Sequence, residues 1–276
     1  MASSSISSER EEAQRNAALH SARHRGWRGG LISPHRAFVR LRLTPSRVIE
    51  SLALASCGSI TWIFALPVVG RFWGHIFAFW SHALGFNAEV TMVPQGWGSH
   101  IHFALPCFGL VAGPASGTYW YITAAITTLA FASTFLLSDE ILPWSYLIRS
   151  LCLLQATALA YFALASARFP HDLPSYTVSM LVFSCILIGL VPILYAFTFY
   201  LLNFTLIQKI FLTLVTMVHL VLLAPHQYLL HVYLLHGSVL LMPVLYFVFG
   251  PFLDILAFIG FYSWGMSWKS AQSWDI

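Results

Sequence analysis

Long stretches without a charged side chain, separated by short polar breaks, run through most of this chain. A helix needs about 20 mostly apolar residues to cross a membrane, and four stretches meet that length directly. Residues 51–70 lie between Glu50 and Arg71, and residues 119–137 end at Asp139 and Glu140. Residues 143–167 and 176–201 follow, on either side of a polar hinge at 168–174. Pro143 falls in a first helical turn, where its missing N–H costs little. Arg149 lies about two turns in and is expected to snorkel toward the nearer interface. From Ile210 to Leu253 no Asp, Glu, Lys or Arg occurs, a run of 44 residues. That length predicts two antiparallel helices, 204–223 and 225–249, with the turn at Ala224-Pro225-His226-Gln227, because proline cannot comfortably continue a helix. Residues 251–268 are short, aromatic and interrupted by Asp254, so a seventh span, a re-entrant piece or an interfacial helix all fit. The pattern predicts an all-α polytopic transmembrane bundle of six or seven spans.

Residues 71–117 break this rhythm. The run from Arg71 to His82 is aromatic with polar interruptions, as in a helix lying at the membrane–water interface. Residues 89–98 are turn-rich. Residues 101–117 are apolar but broken by Pro106, Gly109, Gly113, Pro114 and Gly117, which favours a re-entrant or packed segment over a span. With that choice the N-terminus is cytoplasmic and residues 71–118 face outward. The loop near Asp139 is then inside, that near Asp172 outside, Lys209 inside and the 224–227 turn outside.

Composition and charge sharpen this layout. The 276 residues are 58% hydrophobic and 9% charged, too few charges to cover a soluble globule of that size. Nine of the fourteen basic residues precede position 51. The sequence pI of about 9.0 therefore describes residues 1–50, a basic tail, and implies no nucleic-acid partner. An Arg-rich segment before the first span belongs on the cytoplasmic side, where it also attracts anionic lipid headgroups. Residues 51–268 form the membrane domain and 269–276 a short C-terminal tail. Glu9, Glu11 and Glu12 argue against an organellar transit peptide, which favours a bacterial cytoplasmic membrane. Cys57, Cys107, Cys152 and Cys185 form no Cys-x-x-Cys pair and read as small buried apolar residues.

Histidine is the one reactive residue type in supply. His100 and His102 share a face if extended, and His75 and His82 share a helical face. A turn at 224–227 would bring His219 level with His231, while His236 would sit about 16 Å into its helix. Imidazole suits zinc, copper and iron, so His100, His102, His219 and His231 are the candidate ligands of a transition metal, with Glu89 as a further ligand or base. At an interface the same side chains also serve as hydrogen-bonding residues without a metal. The spacing His226-x4-His231-x4-His236 lacks the adjacent His-His pairs of membrane di-iron desaturases, and Pro114-Ala115-Ser116-Gly117 lacks the first glycine of the rhomboid serine motif. No His-Glu-x-x-His, P-loop or Gly-x-Ser-x-Gly occurs. Asp254 is the one carboxylate placed to serve an ion-coupled transporter. The leading expectation is a non-catalytic subunit or assembly component of an envelope complex, packed against lipid and other membrane subunits. A metal-dependent membrane enzyme or redox protein comes second, and a transporter third.

Overall fold

The charge-free runs fold as helices. A computed structural model describes residues 45–86, 88–98, 101–115, 117–137, 141–165, 169, 172–199 and 204–268. Contacts divide the chain into residues 1–47 and 48–276, and the second unit carries the fold. The elements in chain order are α1 (Pro45–Ala83), β1 (Val90–Trp97), β2 (Ile101–Phe108), α2 (Thr118–Ser133), α3 (Leu142–Ala165), α4 (Leu173–Phe199), α5 (Leu206–Gly237), a 3-10 turn (Val239–Leu241), α6 (Met242–Phe247) and α7 (Pro251–Met266). Five stretches are long and apolar enough to cross a membrane: Val48–Ala83, Leu142–Ala165, Leu173–Phe199, Leu206–Gly237 and Val239–Met266. The chain is a membrane protein, mostly helical as its sequence indicates.

The layout departs from the sequence expectation in three places. The expected helical hairpin at 204–249 is instead one helix of 32 residues, with Pro225 inside it. Proline at 225 leaves the Val221 carbonyl without its helical N–H donor. The indole N–H of the fully buried Trp73 donates to that carbonyl at 2.8 Å, and the helix continues to Gly237. The separate interfacial helix expected at 71–82 is the continuation of the first span, within a helix of 39 residues. The segment 89–108 is neither a turn-rich loop nor helical. It is an antiparallel β-hairpin with Val90 opposite Phe108 and Trp97 opposite Ile101, so the fold is not strictly all-α. Residues 251–266 form a helix whose start is set by Pro251 in its first turn.

The hairpin doubles back along α1. Phe108 stacks on Phe77 with centroids 5.2 Å apart, and a Cβ on Gly70 would run into the Ala104 carbonyl. Trp97 at the far end shares a cavity of about 410 Å³ with Ser59, Trp62, Cys185 and Gly189. Eight extended residues reach about 24 Å at 3.4 Å each, close to the roughly 22 Å separating positions 62 and 77 of a helix. The two lengths match, which lets the hairpin lie flat against its helix.

Contacts between the helices give their directions. Glu50 pairs with Lys209 at 2.9 Å and Trp73 with Val221, so α1 and α5 run the same way. A Cβ on Gly58 would lie 2.8 Å from Pro192, and Trp62 donates to the Cys185 carbonyl at 2.8 Å, so α4 runs against α1. Tyr195 bonds Thr216 at 2.8 Å and Tyr176 bonds His231 at 3.0 Å, which sets α4 against α5. Asp254 meets Ser184, and Gly265 faces Leu212 and Phe204, so α7 runs with α4. In the α2–α3 pair, Trp120 donates to the Leu159 carbonyl and Arg149 to Thr134 at 2.9 Å. Arg149 also lies over the Phe135 ring at 4.7 Å, so its charge is engaged inside the pair rather than only snorkelling.

One peptide unit closes the break after α5. In a continuing helix the Leu235 carbonyl would accept from Val239 N–H. Instead Gly113 N–H donates to Leu235 at 2.8 Å, and the Gly113 carbonyl accepts from Val239 at 3.3 Å. Gly113 thus takes the place of one missing helical bond and satisfies both of its ends. A Cβ there would collide with the Gly237 carbonyl and come within 2.6 Å of the His236 carbonyl. Gly113→Ala is therefore expected to destabilise the protein by about 2 kcal/mol, read as a lowered Tm in detergent. Gly109→Ala, with open space at its Cβ, is expected to change stability by less than about 0.5 kcal/mol.

Candidate functional site

The structure describes three of the four histidines proposed as metal ligands and holds two of them, His219 and His231, apart on one helix. His100 lies outside the described residues. His102 sits exposed on β2. His219 is exposed on α5 with its ring 5.0 Å from Phe261. His231 lies twelve positions further along the same helix, about 18 Å away at 1.5 Å per residue. Without a turn at 224–227, His219 and His231 cannot share an ion. His236, expected deep in a span, stands at the exposed C-terminal end of α5 with Nδ1 3.2 Å from the Val111 carbonyl. His226 Nδ1 lies 2.7 Å from the Leu222 carbonyl one turn back in the same helix, and its ring stands edge-on to Trp80; His75, His82 and Glu89 are exposed. Among the described residues no three His, Cys, Asp or Glu side chains come together as a metal site.

What does come together is a buried polar centre between α4, α5 and α7. Asp254 is 2% exposed, and its Oδ2 accepts from Ser184 at 3.0 Å. Ser184 in turn is 3.2 Å from the Tyr228 hydroxyl, so two neutral hydroxyls lead to one carboxylate. One turn along α5, His231 is 1% exposed. Its Nδ1 bonds the Tyr176 hydroxyl at 3.0 Å, and its ring stands edge-on to Tyr228. Gln227 Nε2 donates to the Gly250 carbonyl at 3.1 Å, closing the break before α7 much as Gly113 closes the break after α5. Gln155 does the same for Leu240 at 2.8 Å. Asp254 Oδ1, His231 Nε2 and Gln227 Oε1 make no hydrogen bond among the described residues.

The positions follow from helix spacing. Gln227, Tyr228 and His231 recur at i, i+1 and i+4 on the inner face of α5. Tyr176 and Ser184 are eight apart on α4, two turns on one face. Asp254 occupies the first turn of α7, where the positive end of the helix dipole favours a carboxylate. Tyr176 also lines a cavity of about 490 Å³, with Phe169, Met180, Phe183, Met242, Tyr246 and Phe247 among its walls.

No family model, curated protein or solved structure matches the chain.

Sequence reasoning singled out His231 and Asp254 but missed Tyr176, Ser184, Tyr228 and Gln227. The available signal was their polarity within charge-free runs, since a polar group in an apolar span needs an internal partner. Asp254→Leu is expected to cost about 2 kcal/mol, because the Ser184 and Tyr228 hydroxyls lose their acceptor. Adding Ser184→Ala is expected to recover part of that loss in a double-mutant cycle of thermal unfolding.

Proposed function

We propose that this chain is a multi-pass, non-catalytic subunit of a larger complex in a bacterial cytoplasmic membrane, and that its β-hairpin seats a partner polypeptide. One observation carries this reading. The sheet has two strands, so beyond β1 the described residues supply no further strand. The hairpin from Ala104 to its tip runs beside residues 51–70 of α1, the stretch without a charge. An open sheet edge does not persist against lipid, because its unpaired N–H and C=O groups have no water to bond. Protein must cover it. Every position of β1 is exposed or half-buried and none is buried, as in a strand still lacking protein on its outer side.

The wider arrangement supports the same reading. Helices α1, α4, α5 and α7 alternate in direction, and the α2–α3 pair, antiparallel within itself, would complete six crossings with residues 84–117 on one side. Glu50 and Lys209 lie together at the opposite end, where α1 begins directly after the Arg-rich part of the sequence. The positive-inside rule puts that end in the cytoplasm, and hairpin and polar centre then lie toward the outer face.

A photo-crosslinking residue placed at Met92 or Pro94 tests the reading in native membranes. The expected product is a discrete band heavier than this chain by one different polypeptide. The same label at Phe64, which is 78% exposed on α1, is expected to react with lipid alone. Labelling of lipid only at all three positions, or of a second copy of this chain only, would overturn the proposal.

A further inference from the structure

The cavity beside Tyr176 has a chemistry that the docking role does not use. It lies between the first half of α4 and α6, and no charged side chain lines it, so a ligand there is neutral. Phe169, Phe183, Tyr246 and Phe247 supply ring faces and edges to its walls, which favour a flat ring through offset or edge-on packing. Met180 and Met242 add polarisable sulfur, which fills gaps against aromatic groups. A site of this kind, mostly apolar with one or two placed polar groups, binds small molecules in a set orientation.

The polar group is unusual in being adjustable. Tyr176 is 6% exposed and its hydroxyl is bonded to Nδ1 of a histidine that is itself 1% exposed. If Nδ1 carries the imidazole proton, it donates to the Tyr176 oxygen, and the phenol O–H is free to donate to a ligand carbonyl. If Nε2 carries the proton, the phenol donates to Nδ1 and its oxygen accepts from a ligand hydroxyl. Nε2 makes no hydrogen bond among the described residues, though the Phe249 carbonyl stands close to the ring. That carbonyl favours a proton on Nε2, but no hydrogen bond fixes it there, so both tautomers are accessible. One buried pair can thus meet a carbonyl or a hydroxyl at the same point in space.

A neutral, flat, membrane-dissolved compound whose ring oxygens occur as carbonyls in one form and hydroxyls in another is a quinone. We infer that the cavity between α4 and α6 binds a quinone headgroup, with the Tyr176 hydroxyl, held by His231, as its polar anchor. An acyl chain would use the apolar walls but would make no demand on the phenol–imidazole pair. The inference concerns binding alone, and both the quinone and the quinol form are accommodated.

Decylubiquinone is the probe, titrated into the purified full-length protein in detergent by calorimetry. Saturable binding at one site is expected, weakened about tenfold by Tyr176→Phe, as loss of one hydrogen bond gives. Ser179→Trp, at an exposed position on the cavity wall, is expected to abolish binding without disturbing the core, so the test stands even if Tyr176→Phe folds poorly. The reduced probe is expected to bind within a few-fold of the oxidised one. Three results would each overturn the inference. They are unsaturable partitioning, binding unaffected by Tyr176→Phe or by Ser179→Trp, and full displacement by oleate at equal affinity.

Discussion

The carbonyl that Pro225 leaves without a helical donor decides how this bundle is built. A membrane interior offers no water to an orphaned C=O, and here a side chain supplies the hydrogen. Trp73 supplies it from α1. That bond makes α5 one helix, holds α1 beside it, and keeps His219 and His231 far apart on a single axis. It also carries the chain on to Gly237 before it turns, which places the 3-10 turn, α6 and the start of α7 together at one end of the bundle. The polar centre and its cavity exist because the break falls there and not at 224–227.

The same economy recurs wherever the backbone is interrupted. Gly113 is inserted between Leu235 and Val239, Gln227 bonds Gly250, and Gln155 bonds Leu240. Each is a local repair of an unpaired backbone group by a residue distant in sequence. Leaving such a group buried and unmatched costs about 1–3 kcal/mol, comparable to losing a large core side chain. The hairpin is where the repair stops within the chain. β2 is packed against α1 and α4, while β1 has no neighbouring strand on its outer side among the described residues, and the partner proposal rests on that contrast.

Much of the architecture was legible from charge spacing alone. Runs of twenty or more residues without a charge mark helices, since few other structures bury that much backbone and apolar surface together. Helices at 142–165 and 173–199 follow directly. What was not legible depends on partners far away in sequence. Nothing near Pro225 announces Trp73, which is 152 positions before it, so the local rule for proline pointed to a turn. Pro94, Pro106 and the glycines of 96–117 likewise read as loop. They form a hairpin because the helix beside them carries Gly70 and Gly74, small enough for a strand to lie close. For the site, a lone carboxylate and a histidine stood out by type. The hydroxyls that complete the centre became visible only when α4, α5 and α7 were seen to share one interior face.

The continuity of α5 underlies the whole arrangement, and a distance measures it directly. Leu214 and Tyr233 are both exposed on that helix and lie on either side of Pro225. Spin labels at these positions, read by pulsed dipolar spectroscopy in nanodiscs, are expected to give a single distribution centred near 28 Å, nineteen residues at about 1.5 Å each. A turn at 224–227 would fold the two halves together, and a principal distance below about 15 Å, as between neighbouring packed helices, would contradict the account.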